Sequence, residues 1–201
     1  MPFKIPDVVT AGTLAHQEQP AIPAPGGLII RPWSPDDAPA VYEAFQDPVL
    51  QHWHPREADS VDEARGWIDD WRKAWPEERD AHWAVADATT DEVVGRISLR
   101  HIMLGDGQAE VAYWTMPSAR GRGIAPRALT ALSDWAFDEA GFHRLELTHA
   151  TANEASCRVA LKSGFTPEGT KRSAALHADG WHDMHLHARI HGDGPHRATG
   201  S

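Results

Sequence analysis

Apolar positions recur along the chain with two different periods, and the switches between them mark strands and helices. Alternating or continuous runs of β-branched, aromatic and aliphatic residues indicate strands. Apolar residues spaced three and four apart indicate helices, because these positions share one helical face. The predicted strands cover residues 28–33, 82–87, 92–103, 110–115, 144–149, 165–176 and 180–190. The predicted helices cover residues 35–45, 61–75, 126–140 and 153–163.

Capping signals support the helix boundaries. Ser60 and Glu63 have the spacing of a capping box, and Pro76 ends the helix that they open. Residues 47–59, just before this helix, contain two prolines and are predicted to form a loop. The helix also carries large apolar side chains on one face, which we interpret as core: Trp67, Ile68, Trp71 and Trp75.

The periodic pattern covers residues 28–190, which we predict to be one folded domain. Residues 1–27 are rich in Pro, Ala and Gly, and we expect an arm outside the fold; residues 191–201 are expected to be a disordered tail. The arm has two open interpretations: a mobile segment, or a segment docked in a groove of this subunit or of a partner in a homodimer. Its spaced apolar residues favour docking: Val8, Val9, Leu14 and Ile22.

Composition and charge narrow the function. The net charge of −10 and a pI near 5.6 argue against nucleic-acid binding and favour a cationic substrate. The single cysteine, Cys157, excludes an intrachain disulfide. No apolar run approaches the roughly 18 residues that a membrane span needs. We therefore expect a cytoplasmic protein that does not bind a membrane.

A glycine turn between the strand at 110–115 and the next helix is the most informative segment. Its glycines allow close approach of the backbone to a ligand, and the new helix offers unpaired N–H groups and a positive dipole end. Such a turn can hold a phosphate group. It does not have the spacing of the common nucleoside-triphosphate or dinucleotide loops. The turn consists of Arg120, Gly121, Arg122, Gly123, Ile124 and Ala125.

Two motifs resemble the GNAT superfamily of acyl-CoA-dependent N-acyltransferases. Arg120, Gly123 and Ala125 match its pyrophosphate loop, [Q/R]-x-x-G-x-[G/A]. About thirty residues further on, an N-x-x-S and K-x-G-F pattern is similar to the Rim-type branch, which includes enzymes that acetylate N-terminal amines of ribosomal proteins. The pattern is formed by Asn153, Ser156, Lys162, Gly164 and Phe165. The resemblance implies a mixed sheet of six or seven strands with helices on both faces.

The resemblance also implies the cofactor, acetyl-CoA, and its contacts. Backbone groups of Trp114, Thr115 and Met116 would pair with the pantetheine arm, and the turn amides would hold the pyrophosphate. Asn153 would bond the pantetheine or a nearby carbonyl, or would only cap its helix. Ser156 would lie near the sulfur and protonate the leaving thiolate.

Direct attack by an amine requires a base, and Glu110 is the candidate. It stands where the histone-modifying branch carries its base, once one residue of the turn is dropped, and we expect apolar neighbours around it. Tyr113 and His149 are the alternatives. His52, Trp53 and His54 are expected to line the acceptor side. The acceptor is predicted to be a peptide or protein N-terminus; a small amine, another donor such as succinyl-CoA, or a non-catalytic CoA-binding module are the alternatives.

Histidines crowd the last two strands and raise the question of a metal site. His185 and His187 share a strand face, but the spacing forces no third ligand onto them. We therefore expect no metal. The five histidines in this segment are His177, His182, His185, His187 and His191.

Overall fold

One sheet of eight strands organises the chain in a computed structural model that describes residues 5–54 and 56–193. The strand order is β1-β2-β3-β4-β5-β6-β8-β7, and all neighbours are antiparallel except β5 and β6. The first four strands are β1 (Ile22–Ala24), β2 (Leu28–Pro32), β3 (Ala81–Asp87) and β4 (Val93–Met103). The others are β5 (Gln108–Thr115), β6 (Arg144–Ala150), β7 (Thr166–His177) and β8 (Gly180–Ile190). The predicted mixed α/β sheet is confirmed, with one strand more than expected.

Five α-helices in the described ranges accompany the sheet: α1 (Ala38–Ala44), α2 (Pro48–Trp53), α3 (Val61–Ala74), α4 (Ile124–Asp138) and α5 (Glu154–Lys162). Two neighbouring residues of β3 show that helices occupy both faces. His82 lies against Trp71 of α3, and Trp83 lies against Trp135 of α4, with ring centroids 5.8 Å and 5.6 Å apart. Because side chains alternate along a strand, α3 and α4 pack on opposite sides. The tryptophan stripe of α3 is core, as its spacing predicts.

The predicted loop at 47–59 is wrong over its first half, which forms α2. Asp47 adopts an extended backbone and its carboxylate accepts from the Leu50 N–H at 3.0 Å, while Pro48 takes the first helical position. This is the ordinary start of a helix. Helix α2 has only six residues, which is too short for a helical period of apolar positions to be visible in the sequence.

The expectation that the arm lies outside the fold is also wrong for the described residues. Residues 22–24 form β1 and pair with β2, and Val9, Leu14 and Ile22 are buried, although Val8 is half exposed. The groove within this chain is therefore the interpretation that the structure supports. The arm shows no sustained helical or strand period in its sequence, because its apolar residues are buried against the rest of the chain.

Glu78 fixes the arm to the domain through three backbone groups. Its carboxylate accepts from the N–H groups of Gly12, Leu14 and Ala15 at 2.7, 2.8 and 3.2 Å. Burial pushes the pKa of Glu78 up, but the three N–H donors outweigh it and lower the pKa. The arm is thus held by polar contacts as well as by apolar packing.

The predicted disordered tail falls mostly on residues 194–201, which lie outside the described part of the chain. Of the tail residues that are described, His191 stacks on Phe137 with ring centroids 5.9 Å apart. No helix within the described ranges is both long and apolar enough to cross a membrane.

Candidate active site

A gap between β5 and β6 forms the centre of the site. These parallel strands pair only where residues 108–110 meet residues 144–146, although β5 continues to Thr115 and β6 to Ala150. Beyond Glu110 the two strands diverge. One edge of β5 therefore lacks a neighbouring strand and can pair with an extended ligand.

The edge of β5 that faces the gap belongs to different residues from those predicted. The Met116 N–H donates to the Val94 carbonyl, and a Cβ at Gly95 would lie 2.6 Å from the Trp114 carbonyl. Both groups therefore point to β4, so the prediction that Trp114 and Met116 have free backbone groups is wrong. Because backbone direction alternates along a strand, Tyr113 and Thr115 present their groups to the gap.

The glycine turn closes one end of a cleft of about 410 Å³. Gly123 is the N-cap of α4 and has φ 71°, and Gly121 has φ 75°. Both values lie in the left-handed region, which explains why glycine occupies these positions. Of the turn residues, Arg120, Gly121, Gly123, Ile124 and Ala125 line the cleft, whereas Arg122 is not among its lining residues.

Two arginines make the main side-chain contacts at the turn: Arg127, which lies outside the predicted motif, and Arg120, which belongs to it. The Arg127 guanidinium donates to the carbonyls of Gly123 and Arg122, each at 3.0 Å. Both carbonyls therefore point to the Arg127 side chain. The sequence motif of the turn does not include Arg127, which lies one turn into α4. Arg120, expected beside the pyrophosphate, instead pairs with Asp47 and lowers the pKa of that carboxyl.

The start of α5 brings two hydroxyl groups together. Asn153 is the N-cap, and its side-chain oxygen accepts from the Ser156 N–H at 3.1 Å, so its capping role is real. The Tyr113 hydroxyl donates to Ser156 Oγ at 3.1 Å, and burial raises the pKa of Tyr113 to about 12. Asn153, Ser156 and Tyr113 all line both the cleft and a smaller cavity in the gap.

Glu110 lies at the point where β5 and β6 separate, and it lines neither the cleft nor the cavity in the gap. The expectation of apolar neighbours around its carboxylate is wrong. Thr148 Oγ1 donates to one carboxylate oxygen, and His101 Nδ1 lies 3.0 Å from the other. Thr148 also lines the cavity in the gap, so it connects that cavity to Glu110.

Helix α2 covers the other side of the gap. Trp53 and His54 line the cleft, and His52 and Trp53 contact the histidines of the β7–β8 hairpin at ring distances of 6.1 to 6.5 Å. Burial lowers the pKa of His54 to about 4, while the Tyr113 backbone acts in the opposite direction. His54 is therefore neutral near pH 7.

A basic cavity of about 360 Å³ opens beside His54 on the α3 face of the sheet. Arg96 lies under it with its guanidinium 4.5 Å from the Trp71 ring centre and 2.8 Å from His82 Nδ1. Its Nε is buried and has no hydrogen-bond partner within residues 5–54 and 56–193. Burial, together with the charges of Arg100 and Arg56, lowers the pKa of Arg96 to about 9. The charged groups that line the cavity are Arg56, Asp70, Arg79, Asp80, Arg96 and Arg100.

The histidines of the last strands form two separate clusters. His149 of β6 and Cys157 of α5 join His185 and His187, with one possible ligand atom of each within 4.8 Å of the others. His177, Asp179 and His182 form the second cluster at the hairpin tip. Sequence spacing could not reveal the first cluster, because three structural elements contribute to it.

The divergent strands and the glycine turn before α4 form the architecture that acetyltransferases of the GNAT class use. Residues 27–166 match the family described as acetyltransferase (GNAT) domain. The chain belongs to this family and is an N-acetyltransferase.

Individual relatives refine the placement. The chain is 28% identical over 146 residues to the uncharacterized N-acetyltransferase YoaA of Bacillus subtilis, covering 72% of this chain and 82% of that one. It is 35% identical over 100 residues to the ribosomal-protein-serine acetyltransferase of Escherichia coli, covering 50% of this chain and 56% of that one. The structure of Mycobacterium smegmatis RimJ in complex with CoA-disulfide has a TM-score of 0.79, 24% identity and 88% coverage of both chains. Relatives that are ribosomal acetyltransferases by name confirm the predicted Rim-type branch, and the RimJ structure confirms the fold.

Proposed function

We propose that the protein transfers an acetyl group from acetyl-CoA to a primary amine. The observation that carries this proposal is the open edge of β5 next to the glycine turn. An extended pantetheine can pair with the groups of Tyr113 and Thr115, and the pyrophosphate can meet the amides at the start of α4. The solved RimJ neighbour holds a CoA derivative, which supports the same ligand here.

The thioester would then lie near Ser156, and the amine would attack it directly. As the amine nitrogen forms its bond to the carbonyl carbon, the bond from carbon to sulfur breaks and the thiolate takes a proton. Because the Tyr113 hydroxyl donates to Ser156 Oγ, the Ser156 hydroxyl proton is free to point to the sulfur. Tyr113, kept as a neutral phenol by its raised pKa, can restore the proton of Ser156 and regain its own from water in the cleft that it lines.

Glu110 is the proposed final acceptor of the proton that the amine loses. The carboxylate does not face the cavity itself, but Thr148 lines the cavity and donates to it. A proton can therefore leave through a water molecule and the Thr148 hydroxyl to Glu110. His101, which is largely exposed, links Glu110 to solvent.

The proposed acceptor is the N-terminal amine of a peptide or protein. The Escherichia coli relative acts on a ribosomal protein by its name, which supports a protein acceptor. An α-amino group has a pKa of about 8, so an appreciable fraction is already neutral at pH 7 and needs only a weak base. An indirect relay to Glu110 suits such an amine better than it suits lysine.

The basic cavity favours a second candidate, a small amine that carries a carboxylate or phosphate. Arginines that lack a close carboxylate partner can hold an anionic group, and Arg96 and Arg100 are positioned beside His54 at the acceptor side. The overall acidic charge predicts a cationic substrate, whereas this cavity is locally basic. An acidic residue near the start of a peptide would satisfy both candidates.

Release of free CoA thiol, measured with acetyl-CoA and a panel of amines, tests the proposal. The panel contains peptides with acidic, neutral and basic second residues, amino acids, polyamines and lysine. We expect the fastest release with peptides whose second residue is acidic. If polyamines react fastest, the peptide acceptor is wrong. If succinyl-CoA is the preferred donor with the same acceptors, the acetyl assignment is wrong.

A further inference from the structure

We propose that His149, Cys157, His185 and His187 bind a zinc ion that fixes the start of α5 against the sheet. Nothing in the acetyl-transfer reaction requires this cluster, so the proposal is independent of the acceptor and of the donor. The four side chains come from β6, α5 and β8.

The positions of the ligand atoms fit a tetrahedral ion. One ligand atom of each side chain lies within 4.8 Å of the other three, and His149 Nε2 is 3.2 Å from His187 Nε2. Tetrahedral zinc places nitrogen ligands at about 2.0–2.1 Å and sulfur at about 2.3 Å, so its ligand atoms are about 3.3–3.6 Å apart. The Nε2 atoms of His149 and His187 already lie at about this spacing.

The hydrogen bonds of the two buried histidines favour the same arrangement. His149 Nδ1 lies 2.8 Å from the Ala150 carbonyl, so it carries a proton and leaves Nε2 with a free lone pair. Without a metal, His187 must donate from Nε2 to that lone pair. Its Nδ1 would then be a buried acceptor that has no well-aligned partner among the described residues.

A bound ion removes this conflict, because both Nε2 atoms become ligands and His187 Nδ1 carries the proton. The Phe165 backbone carbonyl lies next to His187 and can accept that proton. His149 and His187 are also almost fully buried, at 5% and 1% exposure, which leaves water little access to them. Buried imidazoles of this kind need partners.

The donor set selects the type of ion. Three imidazoles and one thiol suit zinc or a similar transition metal, and the cluster includes no carboxylate oxygen, which magnesium and calcium prefer. Four protein ligands close the coordination sphere, so the ion would be structural. Cys157 follows Ser156 directly, and the ion would therefore hold the proposed acid in place.

Metal binding by the tag-free full-length protein tests the proposal. After chelation and dialysis, the protein is titrated with Zn²⁺ by calorimetry and with Co²⁺ by absorption spectroscopy. We expect one equivalent of each metal, a tetrahedral Co²⁺ spectrum, and a thiolate-to-cobalt charge-transfer band. Cys157→Ser should remove that band and weaken zinc binding by more than about 100-fold, since it removes a direct ligand.

A matched control comes from the second cluster. His182→Gln removes a histidine from the hairpin tip, 2.8 Å from Asp179, and should leave both titrations unchanged. If Cys157→Ser fails to fold, His185→Gln at a half-buried position replaces it. Absence of stoichiometric binding, or a binding loss caused by His182→Gln and not by Cys157→Ser, would overturn the proposal.

Discussion

The two halves of the active-site gap are built on different principles. The cofactor half comprises β5, the glycine turn and the first turns of α4 and α5; the acceptor half comprises α2, the basic cavity and the β7–β8 hairpin. Backbone geometry dominates the first, through left-handed glycines, an unpaired strand edge and helix N-termini. Side chains from distant parts of the chain dominate the second, as Arg96, His54 and His177 illustrate.

This difference predicts that changes in the two halves affect different kinetic quantities. In the cofactor half, several backbone groups contact the same ligand. A single substitution at a glycine should therefore disturb several of these contacts at once. A side-chain-based site distributes its contacts, so single substitutions should alter preference among acceptors rather than abolish turnover. The predictions below test this contrast in order of decreasing effect.

Gly123→Asp should give the largest effect, on the cofactor half. The substitution puts a side chain at φ 71° and a negative charge beside the proposed pyrophosphate position. Left-handed strain alone costs about 1–3 kcal/mol, and charge repulsion adds to it. Calorimetry should show acetyl-CoA binding weakened at least about 100-fold. Gly66→Asp, exposed in the middle of α3, adds the same charge far from the cleft and should bind normally.

Ser156→Ala should lower kcat with little change in acetyl-CoA affinity. A positioned acid contributes about 10²- to 10⁴-fold to the rate. The backbone N–H of residue 156 can still donate to the Asn153 side chain, so the start of α5 is preserved. Tyr113→Phe should lower kcat less, because the Ser156 hydroxyl remains. Steady-state release of CoA thiol measures both variants. Equal activity of wild type and Ser156→Ala would assign proton donation to Tyr113 or to solvent.

Thr148→Val tests the proton relay with an almost unchanged side-chain shape. Glu110→Gln removes the carboxylate that Thr148 contacts, and the two single variants should lower kcat by similar factors. If the groups act as one relay, the double variant should be no slower than either single variant. Additive losses would show that Glu110 and Thr148 act independently.

Arg96→Met should change acceptor preference in the acceptor half. Methionine preserves much of the apolar contact with Trp71 but removes the unpaired charge. We expect KM to rise about tenfold for acceptors with an acidic group and to stay constant for neutral ones, since a charged hydrogen bond contributes about 1.5–3 kcal/mol. Arg65→Met, whose guanidinium pairs with Asp62 on the exposed side of α3, is the control.

The local conformation of the cofactor half can be predicted from sequence, because glycine and capping residues have local conformational causes: Gly123 has a left-handed backbone and Asn153 caps α5. The directions of the Trp114 and Met116 backbone groups and the partner of Arg120 could not be predicted, because they depend on strand pairing and on α2. Arg96 and the four residues of the histidine cluster could not be recognised, since their partners depend on sheet order and register. The polar neighbours of Glu110 were missed for the same reason, because Thr148 lies on the adjacent parallel strand.

Glu78→Gln should give the smallest effect and tests a third kind of attachment, that of the arm. The glutamine amide keeps one acceptor oxygen, so we expect the free energy that holds the arm to the domain to fall by about 1 kcal/mol. This is less than the full value of charged hydrogen bonds, because Glu78 is only partly buried. Limited proteolysis should cleave the arm faster, and hydrogen exchange at Gly12, Leu14 and Ala15 should accelerate. Glu77→Gln, which removes only an exposed contact with Arg79, is the matched control.

The pH dependence of the arm follows from the lowered pKa of Glu78. Its contribution is fully present above the unfolded pKa of about 4.3 and is lost as the pH falls through the lower folded pKa. NMR signals of the Gly12, Leu14 and Ala15 amides should therefore titrate together with a midpoint below about 4.3. The transition should vanish in Glu78→Gln. It should also be independent of protein concentration, because the arm and Glu78 belong to the same chain; a midpoint that shifts with concentration would instead indicate an arm exchanged between two subunits.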